Sequence, residues 1–306
     1  MTTECDAIIP FQRALPGQAE LVENQKIAQA AAAIMAGRLI MWENGPVMAL
    51  AGDANNPDMP QAVSKIKGDR SPNQPLGWIT PFGAAIEAFD LSVVTDKRLL
   101  AFLENPDEMT RRLGALSFLR STANMNYKTQ NDISDALIPK TVPGQPASTV
   151  QLYSPTTNNR CSRLVRYAAA HGVRMAMTSA NYHGEKEIVT YEAAKLFAKE
   201  AGDLMFLPQY KPELKPLRPR GSYPVISVLP DRLKLIRFGF VEPQLLADVL
   251  HDLPIDISPG LPSQEPKHPE HVLRKIDLSP ADRQLKGTDL HDVIVDSFMR
   301  PPVITL

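Results

Sequence analysis

Through the first 240 residues, short apolar or alternating runs take turns with segments of helical period, and this interleaving fixes the fold class. RLIMW, VMALAGD and LGWIT read as strands, and so do ALSFLR, STVQLYS, VRMAMTS and DLMFL. PVISVL and LKLIRFG form a hairpin across PDR. Helices are expected at 24–36, with Asn24 as N-cap, and at 58–66, about 83–89, 96–103, 162–171 and 190–201. Residues 1–23 read as irregular, with Pro10 and Pro16 as breakers, and 121–147 as a long polar excursion. The pattern predicts an α/β domain over residues 1–240, and no internal repeat interrupts it. Residues 241–306 are Pro-rich and polar, with two short helices expected near 242–251 and 279–285. They are too few for an ordinary second core and read as a short C-terminal extension.

Composition excludes several classes. The 306 residues carry a net charge of −1, so no global basic field points to nucleic acid, although local basic patches are compatible with these numbers. Cys5 and Cys161 are the only cysteines, too few for a disulfide framework or a thiolate zinc site, and in keeping with a reducing compartment. The apolar stretches fall far short of the ~20 residues of a spanning helix. The expectation is a cytoplasmic protein with no membrane association.

Three polar constellations stand out. The first is Lys65, Lys67 and Arg70 around Gly68, in SKIKGDRSPNQPLGW. Cations beside a glycine turn suit a phosphate, and they equally describe a solvated basic loop. The second is Ser179 and Asn181 in MTSANYHGE, at the end of an expected buried strand. In open α/β sheets ligands bind at the carboxyl ends of strands, but side chain-to-backbone bonds make the same residues an ordinary turn. The third pairs Ser222, before one hairpin strand, with Arg237 at the end of the next. A strand-end surface charge is the plain alternative for Arg237. His268 and His271 flank Pro269 and Glu270 with no third ligand evident, so no metal site is expected, and His183 reads as a loop residue.

In order, these segments resemble the YrdC/Sua5 family of threonylcarbamoyl-adenylate synthases. The family pattern is a helix, a Thr-rich strand segment, a Lys-x-Arg loop before Asn-x-Pro-Leu, Gly-Pro-x-Thr, Arg-Val-Pro, Ser-x-Asn, and a hairpin closing on Arg-x-Gly. The corresponding segments here are AAAAIMAGRLIMWENGPVMALAGDA, IKGDRSPNQPLGWIT, RLGALSFL, STVQLYSP, MTSANYHGE and PVISVLPDRLKLIRFG, spanning about residues 25–240. The resemblance implies a twisted, largely open mixed sheet with flanking helices and a concave, positively charged cavity. It implies ATP with Mg2+, and condensation of ATP, bicarbonate and an amino acid to a carbamoyl adenylate used in tRNA modification. It assigns phosphate contacts to Lys67 and Arg70, nucleotide or carbamate contacts to Ser179 and Asn181, and phosphate-side contacts to Ser222 and Arg237. Ser117 stands at the Thr of Gly-Pro-x-Thr.

Some positions depart from the pattern. Glu43, Asn44, Gly45 and Pro46 stand where Thr-bearing residues are expected, Met48 replaces a Tyr, and Tyr153 replaces the Arg of Arg-Val-Pro. The first of these segments shapes the amino-acid pocket in the family. Two functions stay open: an adenylating enzyme, and a catalytically impaired module on the same scaffold that binds a nucleotide, tRNA or double-stranded RNA.

Overall fold

The computed structural model describes residues 16–68, 75–141, 146–156, 160–185, 187–188, 190–202, 204–208, 221–258, 276 and 278–299. The first helix, α1 (Pro16–Met35), starts well before the expected position. Pro16 opens it rather than breaking it, because a helix's first residues need no N–H partner. A hairpin follows, β1 (Ile40–Asn44) and β2 (Val47–Asp53), closed by Gly45 at φ 57° and Pro46. Glycine at the first central position with a positive φ suits a two-residue hairpin turn.

Next come α2 (Met59–Lys67), β3 (Gly77–Ile79), α3 (Lys97–Leu103) and α4 (Pro106–Leu113). The segment expected as a helix at 83–89 is two short 3-10 turns. Asn105 caps α4 by accepting from Glu108 N at 3.1 Å, and acids lead while arginines close the helix. The chain continues through β4 (Phe118–Thr122), α5 (Met125–Gln130) within the expected polar excursion, β5 (Thr149–Tyr153) and α6 (Arg160–Ala170). Then follow β6 (Met175–Ser179), α7 (Tyr191–Glu200), β7 (Met205–Leu207) and the hairpin β8 (Val225–Val228) and β9 (Leu233–Arg237). The extension adds α8 (Pro243–Val249), β10 (Ile255–Asp256) and α9 (Gly287–Met299).

Ten described strands form one mixed sheet in the order β10-β9-β8-β4-β5-β3-β6-β2-β1-β7. Side chains alternate between its faces. In the first hairpin Trp42, Ala49 and Ala51 join the main core, which includes Ile34 of α1 and Leu164 of α6. Met41, Met48 and Leu50 pack with Ala194 and Phe197 of α7 on the other side. This half is covered on both faces. The β4–β5–β8–β9 half is not. There Leu119, Leu152, Ile226 and Leu235 are core, while Arg120, Gln151, Ser227 and Lys234 share the opposite face and keep solvent contact.

The sheet curls across this open face. Tyr223, just before β8, donates from its hydroxyl to the carbonyl of Asn44 on β1 at 3.2 Å, although five strands lie between β8 and β1. The described extension packs back onto the domain. Leu246, Val249, Leu290, Ile294 and Phe298 belong to the main core. Arg112 of α4 donates to Val249 O at 2.9 and 2.6 Å and pairs with Asp252. Nε2 of buried His291 meets Gly114 O at 2.8 Å. No described helix is long and apolar enough to cross a membrane.

Candidate functional site

The turn after β6 is organised by one lysine. Lys67 ends α2 and is 4% exposed. Its ammonium donates to Ser179 O at 2.6 Å, Asn181 O at 2.8 Å and Asn181 Oδ1 at 2.7 Å. An ammonium has three N–H donors, and here three oxygens receive them. Ser179 Oγ donates to Asn181 Oδ1 at 2.7 Å, and Asn181 Nδ2 donates to the carbonyls of Tyr182 and Glu185 at 3.0 and 2.7 Å. The Ser-Ala-Asn turn is therefore held rigidly. Lys65, one helical step away, is exposed. Lys67 thus clamps the turn, as a buried cation must satisfy its own donors. Arg70, His268 and His271 lie outside the described residues, and His183 is exposed.

A second group sits along the open face. Ser222 donates its hydroxyl to Glu187 Oε1. The chain after β9 comes close against Ser222 and Pro224 because residue 239 is glycine: a Cβ there would lie 2.3 Å from Pro224 N and 2.4 Å from Ser222 O. Arg237 donates from Nε and Nη2 to Tyr223 O at 3.2 and 2.8 Å. Its side chain keeps exposed area, yet burial lowers its pKa; Glu187 raises it and Arg120 lowers it further. Arg237 is exposed by area and lies at the end of β9 on the face across which the sheet curls, and its guanidinium remains charged. Arg120 is half-buried, burial lowers its pKa as well, and it donates to Gln151 Oε1 at 3.0 Å.

Main-chain bonds join the two groups. Ile188 N donates to Ala180 O at 3.2 Å and Met48 N to Ile188 O at 3.0 Å, so Glu187 and Ser222 continue directly from the Ser179–Asn181 turn. Ser179, Asn181, Ser222 and Arg237, scattered over 59 positions of sequence, are thus linked in space.

The rest of the concavity is filled. Tyr153 OH donates to Tyr223 OH at 2.9 Å, and the rings make tilted and edge-to-face contacts in series from Phe118 through Tyr153 and Tyr223 to Phe240. Asn44, 0% exposed, faces this cluster, with Cys161 Sγ 3.4 Å from its Oδ1. Burial pushes the Cys161 thiol well up, which makes it a poor nucleophile. Residues 41–50 are buried throughout.

Similarity to known proteins enters at the level of structure. No family sequence model matches the chain, and no curated protein sequence matches it. A double alanine variant of Sua5 from P. abyssi superposes with a TM-score of 0.54 at 17% identity, covering 81% of this chain and 64% of that one. Sua5 from P. abyssi complexed with L-threonine gives 0.54 at 16%, covering 79% and 63%. YciO from E. coli gives 0.50 at 13%, covering 70% and 89%. The mixed α/β architecture with an open sheet agrees with theirs.

This is a Sua5/YrdC-like fold. The chain spans less than two thirds of the Sua5 chains it matches. Within the Sua5/YrdC-like fold, one of the expected contact residues lies in the interior. Ser117 is fully buried and its hydroxyl has no hydrogen-bond partner. Two residues earlier Ala115 has φ 59°, where Gly-Pro-x-Thr would need proline near −65°. The turn before β4 is therefore built differently from that motif.

Sequence reasoning missed Arg120, Gln151 and Glu187. Arg120 did carry a signal: a lone charge inside SFLRST, at a position that strand alternation sets opposite Leu119.

Proposed function

We propose that this protein binds ATP at the concave face and acts as a carbamoyl-adenylate synthase of the Sua5 type, with tRNA modification as the destination of its product. The observation that supports it is the joining of Ser179, Asn181, Ser222 and Arg237 through Ile188 and Glu187 within a Sua5/YrdC-like fold. In this reading a carbamate oxygen attacks the α-phosphorus and pyrophosphate leaves. Arg237 offsets phosphate charge, while Ser179 and Asn181 contact the nucleotide or carbamate. Lys67 acts by fixing their turn. Arg70 and Ser222 serve the phosphate side. Magnesium would enter with the nucleotide and would supply charge to offset the phosphates. Among the described residues there is no group of three His, Cys, Asp or Glu side chains that could hold an ion.

The test is pyrophosphate release from ATP and bicarbonate across a panel of amino acids. Release with at least one of them is expected, and no release with any sinks the proposal.

A second reading is a catalytically silent nucleotide- or RNA-binding module. The filled centre favours it: Asn44 lies in the segment that the resemblance assigns to the amino-acid pocket, Tyr153 replaces the Arg of Arg-Val-Pro, and the Tyr223 hydroxyl bonds to both. Titration with tRNA and with duplex RNA at two salt concentrations separates the readings. Phosphodiester binding should weaken steeply with salt.

A further inference from the structure

The open face of β4 and β5 carries a cation that the proposed nucleotide contacts leave unused. Arg120 pairs across the sheet with Gln151 and, on its other side, with Ser227 of β8. Its described polar contact is Gln151 Oε1 at 3.0 Å, and no described carboxylate forms an ion pair with it. Receiving a guanidinium N–H turns the Gln151 amide so that its own NH2 remains a donor. Arg237, two strands away on the same face, is close enough for mutual repulsion. Lys234, also on this face, has Asp256 at 3.8 Å. Glu187 acts on Arg237 and accepts from Ser222. Two neighbouring guanidiniums on this face therefore share one described carboxylate, Glu187, which acts on the second of them through its charge and is hydrogen-bonded to Ser222. A half-buried, unneutralised Arg beside another Arg costs stability unless something anionic binds.

We infer that Arg120 and Gln151 form an oxyanion-binding subsite, taking a phosphate or carboxylate group of the ligand held on the concave face. The inference rests on reading that face as the ligand site. The planar guanidinium fork and the amide NH2 together present coplanar donors to a two-oxygen face. The concave setting selects a small ligand group over a duplex backbone. A phosphate would belong to the nucleotide, and a carboxylate to the acceptor.

The experiment is calorimetric titration of the full chain with inorganic phosphate, malonate and ATP, for the wild type, Arg120→Gln and Arg120→Lys. The wild type should bind at least one of the two small ions. Arg120→Gln should weaken that ion about 10- to 100-fold, the range of a lost charge-assisted hydrogen bond. Arg120→Lys should lie between, since charge persists without the fork. The melting temperature of Arg120→Gln should stay level or rise. If that variant melts early, Gln151→Leu takes its place and should weaken the same ion several-fold. Response of phosphate or of malonate identifies the source of the oxyanion. Equal ion affinity in wild type and variants overturns the subsite, as does a wild type that binds neither ion. Ion binding without ATP binding overturns the nucleotide reading and leaves the subsite standing. ATP binding with no ion response does the reverse.

Discussion

Lys67→Met removes a buried ammonium while nearly preserving side-chain length. Three hydrogen bonds between 2.6 and 2.8 Å disappear, two to carbonyls and one to an amide oxygen. A hydrogen bond to a charged group contributes about 1.5–3 kcal/mol, so the gross loss is about 4.5–9 kcal/mol. Two effects offset it. Desolvation of the ammonium, several kcal/mol, is no longer incurred. Asn181 Oδ1 also keeps its bond from Ser179 Oγ. The net effect should be a destabilisation of about 2–4 kcal/mol. Urea unfolding at pH 7 reads this as a lower midpoint with an unchanged slope. Amide hydrogen exchange adds location: protection should fall at Ala180 and Ile188, whose N–H groups bond to Met48 O and Ala180 O. A shift below about 1 kcal/mol with unaltered exchange would refute the clamp. If ATP affinity nevertheless collapsed in that variant, Lys67 would have to touch the ligand directly.

Other expectations follow from the same geometry. Gly239→Ala should cost at least roughly 1–3 kcal/mol by thermal unfolding, because its Cβ would press on the backbone of Ser222 and Pro224. Ala115→Gly should stabilise by up to about 1 kcal/mol, since it relieves a left-handed alanine. Tyr153→Phe should destabilise by about 1 kcal/mol through loss of the bond to Tyr223. Asp252 has its pKa lowered, chiefly by the hydrogen bond from Arg112. A depressed carboxylate stabilises above its unfolded pKa, and that contribution is lost as pH falls through the folded value. The difference between wild type and Asp252→Asn should thus be present at pH 7, stay under about 1 kcal/mol because the carboxylate is half in solvent, and close below about pH 4.

Much of the fold was legible because local patterns carried it. VMALAGD became β2 over the same residues, and the 3.6-residue period of 162–171 became α6 with a shift of one or two positions. The turn at Ser179–Asn181 was visible as polar side chains after a buried strand. Other features were not local. Pro16 reads as a breaker in the sequence yet opens α1, because whether a proline stops or starts a helix is decided by the residues that follow it in space. The helix α4 was missed although Asn105, Pro106 and the acids after it form a start signal. The direction of the Lys67 ammonium depends on residues more than a hundred positions away. Arg120 meets Gln151 and nears Arg237 only through strand pairing, which a linear motif cannot show.

The order of strands also bears on how the chain is made. Everything from β1 to β7, including β5 on one flank of β4, is present once residue 207 exists. The other flank of β4 belongs to β8, roughly a hundred residues later than β4 itself, or about 5–20 s at ordinary rates of synthesis. During that interval β4 is an unpaired edge, and Tyr153 lacks the ring of Tyr223. Arg112 likewise waits for the carbonyl of Val249, and Gly114 for the imidazole of His291. Until residues 222–249 have emerged, the sheet therefore keeps an open edge at β4, and the segments that close it are also the ones that complete its core.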